Sequence, residues 1–534
     1  MSVPWNGAAW DEASAHAFGA DWLLEELAPS GALGRAARER ERAFRPGEED
    51  RAREAIGGIG AAAASIDAAK LASVRAAIAA APDPGFVLVQ ARTGGILGDV
   101  DLFDLARFLD ALAELAPLAE FAAFAAHVPA DASELRSMLE PGRGAARSFY
   151  IADTFDAELA SRRQAAASYD AAYDLARSKL AERIARRLGV ERVRDGEFVV
   201  MRDAVSGPLP PEVRVLRETP AYLLCEISLD EASLEALTAR EAASAQVAEA
   251  EERVRARLSR RVAESARELE EAAAALGALD LFAARVAFAM RYRCVVPQIE
   301  PQAEIVFERG RYLPLAGALE RLGRRYVPIS LHLAGTGIVT GPNMGGKTAA
   351  LRTVGFLAAC VALGVPVPAE SAAIPLFDEI AWLGIGAHAS EDGLLSAFGS
   401  EVIAVRSFLD AGARRELVLI DEFARTTSPL EGRALLVALL ETLRARGALA
   451  LAATHLANVT PSGATHFAIG GLANLAPQPN GPLDLATALA RIADAMDYRL
   501  HEVSQDALPA SDAIALAEAL GLEPALIARA KALF

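Results

Sequence analysis

Cysteine is scarce in this chain: Cys225, Cys294 and Cys360 are the only three in 534 residues. They lie far apart, without metal-ligand spacing and in mostly apolar contexts. That excludes a disulfide framework and reads as buried, reduced thiols. Aromatic residues are also few, at 6%. Basic residues are outnumbered, 54 Lys+Arg against 71 Asp+Glu, for a formal net charge of −17. Such a balance gives no global pull toward nucleic acid, so any such contact needs a local basic patch. No segment reaches the ~18–20 unbroken apolar residues of a membrane span. The richest run, "VGFLAACVALGVPVP", reads as a buried helix. The opening "MSVPWNGAAWDEASA" lacks the basic and apolar regions of a signal peptide. These absences point to a cytoplasmic protein with no membrane partner.

What is abundant is alanine, which carries much of the 53% hydrophobic content and favours helix. The length suits two to four domains of roughly 100–200 residues. "LFDLARFLDALAEL" (Leu102–Leu115) has apolar residues at three- and four-residue steps, an amphipathic helix. Short β-like patches follow at "EFVVMRD" and "AYLLCEIS", separated by the proline-rich turn "SGPLPPE". From Leu229 to about Tyr292 there is no proline and one glycine, Gly277. This stretch reads as one long helix or a helical pair. At 1.5 Å per residue, roughly 50 residues would reach ~75 Å, a lever rather than a core helix. Its Arg253, Arg255, Arg257, Arg260 and Arg261 are either a solvated face interleaved with glutamates or a nucleic-acid-binding stripe.

Beyond "VVPQIEP" the pattern becomes short apolar strands alternating with helices: "GIVT", "ELVLIDE" and "GALALAATH". That is the pattern of a mostly parallel α/β sheet. The expected division is 1–120 as the helical N-terminal part of a core, 121–300 as a helical lever with a small β patch, 301–484 as the α/β domain, and 485–534 as a helical tail. In the tail Ser511 is an expected N-cap and Gly521 an expected helix stop.

"TGPNMGGKT" follows the strand "GIVT" and opens a helix. Its G-x-x-x-x-G-K-[ST] spacing is that of a loop that cradles nucleotide phosphates with backbone N–H groups. Gly341, Pro342, Asn343, Met344, Gly345 and Gly346 form the cradle. Lys347 is expected on the β- and γ-phosphates of ATP, and Thr348 on Mg²⁺. A second apolar strand ends in Asp421–Glu422, with Asp421 expected to hold the Mg²⁺ shell and Glu422 to orient or deprotonate the attacking water. A third ends in Thr454–His455, which places His455 as a γ-phosphate sensor. Between the first two lies "SAFGSE", where Ser396 and Glu401 flank a helix start. Read from spacing alone, it is either a capped helix or a surface facing a second subunit's phosphate.

Together these segments resemble the MutS family of ABC-type ATPases. "TGPNMGGKT" matches its Walker A form. "LVLIDEFARTTSP" is similar to its Walker B and D-loop, "ATHLANV" to its switch histidine and "SAFGSE" to its signature segment. "RYVPISL" resembles the adenine-side segment, which assigns Tyr326 to the adenine, and "SDAIALAEALGLEPALIARA" resembles the closing dimerisation helices. The resemblance implies a homodimer, or a heterodimer with a related subunit. Ser396 and Glu401 of one subunit would then complete the phosphate loop of the other. It spans roughly 311–534 strongly and about 100–300 more weakly. Two departures stand out. The Phe-x-Glu wedge of mismatch-repair members has no counterpart in a plausible setting, and the D-loop reads Ala424-Arg425-Thr426-Thr427 where those enzymes carry glycines beside the arginine. "RTTSPLEG", "SAFGSE" and "DYRLHEVSQ" are similar to the short MutS-like subunits of adenosylcobalamin-dependent lysine 5,6-aminomutase, thought to act as reactivases. The partner expected is therefore an aminomutase-type protein or, alternatively, mismatched or branched DNA.

Overall fold

A computed structural model of the chain describes residues 9–144, 148–190, 193, 197–205, 207–302, 304–342, 346–384, 397–412, 415–456, 459–472, 491–492, 494–504 and 513–533. It divides into two compact units. One comprises Met1–Ala80, Leu115–Val128 and Ala274–Phe534, the other Ala81–Glu114 and Pro129–Ala273. This division differs from the expected one in a specific way: the first 80 residues join the α/β unit, not the helical one. The helix Glu12–Phe18 lies against the helix Lys347–Ala362. There Gly355 leaves room for Phe18, and a Cβ would stand 2.7 Å from the Phe18 Cβ. The Ile380 amide donates to the Ala9 carbonyl at 2.6 Å, and the buried Asp280 carboxylate accepts from the amides of Ser30 and Gly31 at 2.8 and 2.7 Å. A composition that is helical throughout its first third cannot announce which core those helices serve.

In the second unit, β1 (Glu197–Met201), β2 (Val213–Glu218) and β3 (Tyr222–Ile227) form an antiparallel sheet in the order β1-β3-β2. β1 and β3 were legible as the patches "EFVVMRD" and "AYLLCEIS". β2 was not, because five of its six residues are exposed and no apolar alternation marks it. The stretch expected to form a lever is a helical pair, Glu231–Glu264 and Ala266–Arg291, interrupted at Ser265, and from Ala274 the second helix is counted with the first unit. The second helix is long and apolar enough to cross a membrane, yet 61% of its apolar window is buried inside the protein.

Asp230 caps the first lever helix, accepting from the Ser233 amide at 2.9 Å, and pairs with Arg183 at 2.5 Å. Hydrogen bonding from Ser233, and then the Arg183 guanidinium, hold its carboxyl at about 2. A depressed carboxyl stabilises the fold above its ordinary range near pH 4, and that contribution disappears as pH falls toward 2. Asp230→Ala is expected to cost about 1 kcal/mol in urea unfolding at pH 7. Asp230→Asn, which keeps the cap, is expected to lose mainly the pH-dependent part.

In the first unit β4 (Glu304–Gly310), β5 (Ile329–Ala334) and β7 (Ser371–Ala373) form a small antiparallel sheet ordered β5-β4-β7. The main sheet has six strands in the order β12-β11-β6-β10-β9-β8. They are β6 (Thr336–Thr340), β8 (Glu379–Gly384), β9 (Glu416–Asp421), β10 (Leu449–Ala453), β11 (Thr465–Leu472) and β12 (Met496–Val503). All neighbours are parallel except β11 and β12. β6 and β10 are buried at every residue, as strands covered by helices on both faces must be. β12 corrects the expectation of a wholly helical tail. "MDYRLHEV" pairs with the outer edge of β11, which would otherwise carry unpaired backbone groups. Gly521 does end a helix, Ala513–Ala519, at φ 85 with its amide donating to Glu518. Ser511 lies outside the described residues.

Candidate nucleotide site at the carboxyl ends of the sheet

The register lines up the strand ends that matter. Ala453 pairs with Val339 on one side and Asp421 on the other, and Asp421 pairs with Gly384 of β8. Thr340, Asp421 and Thr454 therefore emerge along one edge, where open α/β sheets bind ligands. Gly384 allows this approach, since a Cβ there would stand 2.6 Å from the Asp421 carbonyl oxygen.

After Thr340 the backbone turns through Gly341 at φ 143 and enters the helix Lys347–Ala362 from Gly346 at φ 100. Both angles favour glycine. Asn343, Met344 and Gly345 lie outside the described residues. Lys347 is 6% exposed, and its ammonium donates to the carbonyls of Gly341 and Pro342 at 3.0 and 3.1 Å. Burial lowers its pKa, while the nearby Glu422 and Asp421 pull it back up. The Thr348 hydroxyl donates to the Asp421 carboxylate at 3.0 and 3.1 Å. Burial raises the Asp421 pKa, partly offset by that hydrogen bond. Glu422 Oε1 lies 3.9 Å from Lys347 Nζ and 3.9 Å from His455 Nδ1, and Oε2 lies 3.3 Å from Arg425. A cleft of about 290 Å³ opens beside these groups, lined by Tyr312, Leu315, Gly346, Lys347, Thr348 and Glu422 among others. Among the described residues no group of three or more His, Cys, Asp or Glu stands ready to hold a metal. The hydroxyl–carboxylate pair of Thr348 and Asp421 fits Mg²⁺, which takes few protein oxygens and completes its shell with phosphate and water.

Residues 337–533 match MutS domain V. The chain is 36% identical over 211 residues to the endonuclease MutS2 of Halothermothrix orenii, covering 39% of this chain and 26% of the relative. It is 34% identical over 219 residues to the Enterococcus faecalis endonuclease MutS2, with the same coverages. To the DNA mismatch repair protein MutS of Natronomonas pharaonis it is 32% identical over 273 residues, 50% of this chain and 30% of that one. These matches support membership of the MutS family. The chain spans about a quarter to a third of the length of these curated relatives. The likeness to aminomutase-associated subunits gains no support from them.

At this site, sequence reasoning and structure differ at several residues. Lys347, Thr348, Asp421, Glu422 and His455 come together as described. Ser396 lies outside the described residues. Glu401, expected on a surface facing a second subunit, is 6% exposed and accepts from the Ala424 amide of its own chain at 2.8 Å. Its helical position gives the reason: Glu401 falls on the inward face of the helix Ala397–Ala411. Tyr326 accepts from the Tyr312 amide at 3.0 Å and stands 3.5 Å from the Thr353 hydroxyl. The cleft wall is thus Tyr312, with Tyr326 bonded to its backbone.

One residue was missed. His466 on β11 is buried, with Nε2 2.8 Å from the Thr340 hydroxyl and Nδ1 3.1 Å from the Ser504 carbonyl oxygen. A carbonyl only accepts, so Nδ1 carries a proton. The ring thereby braces Thr340, the last residue of β6, against the chain leaving β12. Its only sequence signal is a polar residue at the start of the apolar run "THFAIGG".

The lever arginines resolve mostly as ion pairs. Arg253 meets Glu249 at 3.0 Å, Arg255 meets Asp99 at 2.9 Å, and Arg261 meets Glu264 at 2.6 Å and Glu134 at 3.4 Å. Arg257 is 3.9 Å from Asp156. Arg260 has no ion pair among the described residues. As surface pairs they add roughly 0–1 kcal/mol each to stability.

Proposed function

We propose that this chain is a Mg²⁺-dependent ATPase of MutS type that acts on DNA. It would work as a homodimer or with a related subunit. The observation that carries the ATPase reading is the convergence of Lys347, the Thr348–Asp421 pair and Glu422 at the carboxyl ends of adjacent parallel strands. Lys347 and the N-terminus of its helix bind the β- and γ-phosphates. Thr348 and Asp421 hold Mg²⁺, which when bound neutralises charge on the phosphate oxygens. Glu422 orients the attacking water and takes its proton, and His455, 3.9 Å from Glu422 Oε1, senses the γ-phosphate. The expected result is Mg²⁺-dependent release of phosphate from ATP by the purified chain; a lack of turnover with and without DNA would overturn the reading.

DNA is favoured as the partner by the relatives, which carry the names endonuclease MutS2 and DNA mismatch repair protein MutS. The net charge of −17 means that any phosphate contact must come from local groups. At the lever these are Arg260, which has no ion pair among the described residues, and arginines such as Arg253 and Arg255 once released from their carboxylates. Gel shifts on branched, mismatched and matched duplexes across a salt series are expected to show binding that weakens linearly in log salt. Absence of binding at low salt and roughly micromolar protein would overturn the DNA reading, since non-specific binding alone reaches that range.

A further inference from the structure

The turn after β9 contains two of the four non-glycine residues with positive φ among those described: Glu422 at 51° and Ala424 at 59°. Side chains disfavour this region, so a fold that uses it twice in three residues must hold it there. The Glu422 amide donates to the Ala453 carbonyl at 2.9 Å, which fixes the near end of the turn to β10. The far end is fixed at Ala424, whose amide donates to Glu401 Oε2 at 2.8 Å and whose carbonyl accepts from Thr427 at 3.2 Å. Glu401 is 6% exposed, and its second oxygen, Oε1, is buried without a partner among the described residues. An orphaned acceptor on a buried carboxylate is costly. Its other oxygen therefore makes a contact that the fold keeps at a cost.

We propose that Glu401 is a positioning residue for Glu422 of the same chain. By clamping the Ala424 amide, it locks the left-handed turn that aims the Glu422 carboxylate between Lys347, His455 and Arg425. The helix that opens with the signature segment is thereby tied to the catalytic turn within one subunit. The arrangement needs an acceptor at this point, not a negative charge. This rests on the ATPase reading, with Glu422 as the group that handles the attacking water.

The test compares full-length wild type, Glu401→Gln and Glu401→Ala by steady-state Mg²⁺-ATP turnover and by titration with a fluorescent ATP analogue. Glu401→Ala is expected to lower kcat at least about tenfold, with KM and analogue affinity changed less than about threefold. Glu401→Gln is expected to keep kcat within about threefold, because its amide oxygen accepts the same N–H. Glu401→Leu, which fills the volume without a strong acceptor, replaces the alanine variant should that one fail to fold, and the same loss of kcat is expected. Three results would overturn the proposal: full kcat in the alanine or leucine variant, equal impairment in Glu401→Gln, or a loss confined to nucleotide affinity. Absence of turnover in wild type overturns the underlying ATPase reading and this assignment with it. Wild-type turnover that persists in Glu401→Ala overturns this assignment alone.

Discussion

Glu422→Gln is expected to abolish ATP turnover while leaving ATP binding intact. Glutamine has the same shape and keeps an oxygen that can orient water, but it cannot accept a proton. General-base catalysis typically contributes 10²–10⁴-fold, so turnover should fall by roughly 100-fold or more. Binding should hold because the phosphates are held by Lys347 and the N-terminus of its helix, and Mg²⁺ by Thr348 and Asp421, none of which the substitution changes. Removing the negative charge 3.9 Å from Lys347 also leaves that ammonium more available to phosphate. Single-turnover hydrolysis measured beside analogue binding checks both halves of the expectation. Unchanged hydrolysis would remove Glu422 from the chemistry.

Lys347→Ala is expected to do the reverse, with binding lost first. The ammonium sits almost fully buried, 3.9 Å from the Glu422 carboxylate and with Asp421 also acting on it. Without it the cleft presents Asp421 and Glu422 to an anionic ligand with nothing from this side chain to offset them. A charge-assisted hydrogen bond contributes roughly 1.5–3 kcal/mol, which corresponds to about 10- to 100-fold in affinity. Titration with the fluorescent analogue should therefore show weakening of at least about tenfold. Affinity within about threefold of wild type would refute the assignment of Lys347 to the phosphates.

The legible parts of this molecule were those where local sequence and tertiary role coincide. β6, β9 and β10 are apolar runs that stop where Lys347, Thr348, Asp421 and Glu422 gather, so strand and strand end were read from one pattern. β12 alternates polar and apolar residues along an edge and resembles the amphipathic helices around it. Glu401 was misplaced for a different reason: a signature segment names residues, not the face of the helix on which each falls. His466 was invisible because its function is set by Thr340 and Ser504, 126 and 38 residues away. Ala424 illustrates a partial reading. The missing glycine was evident from the sequence, but only the structure shows that alanine there carries a positive φ held by Glu401.

The order of the main sheet has a consequence for how the protein is made. β6 lies at its centre, pairing with β10 and β11, and β11 is finished only by β12. β6 therefore waits for more than a hundred further residues before both its neighbours exist, and the edge waits for Val503. Pairings so distant in sequence form slowly. During synthesis the apolar β6 and β10 segments would stand without their sheet, and truncation before Met496 would leave β11 as an open edge prone to pairing with another chain.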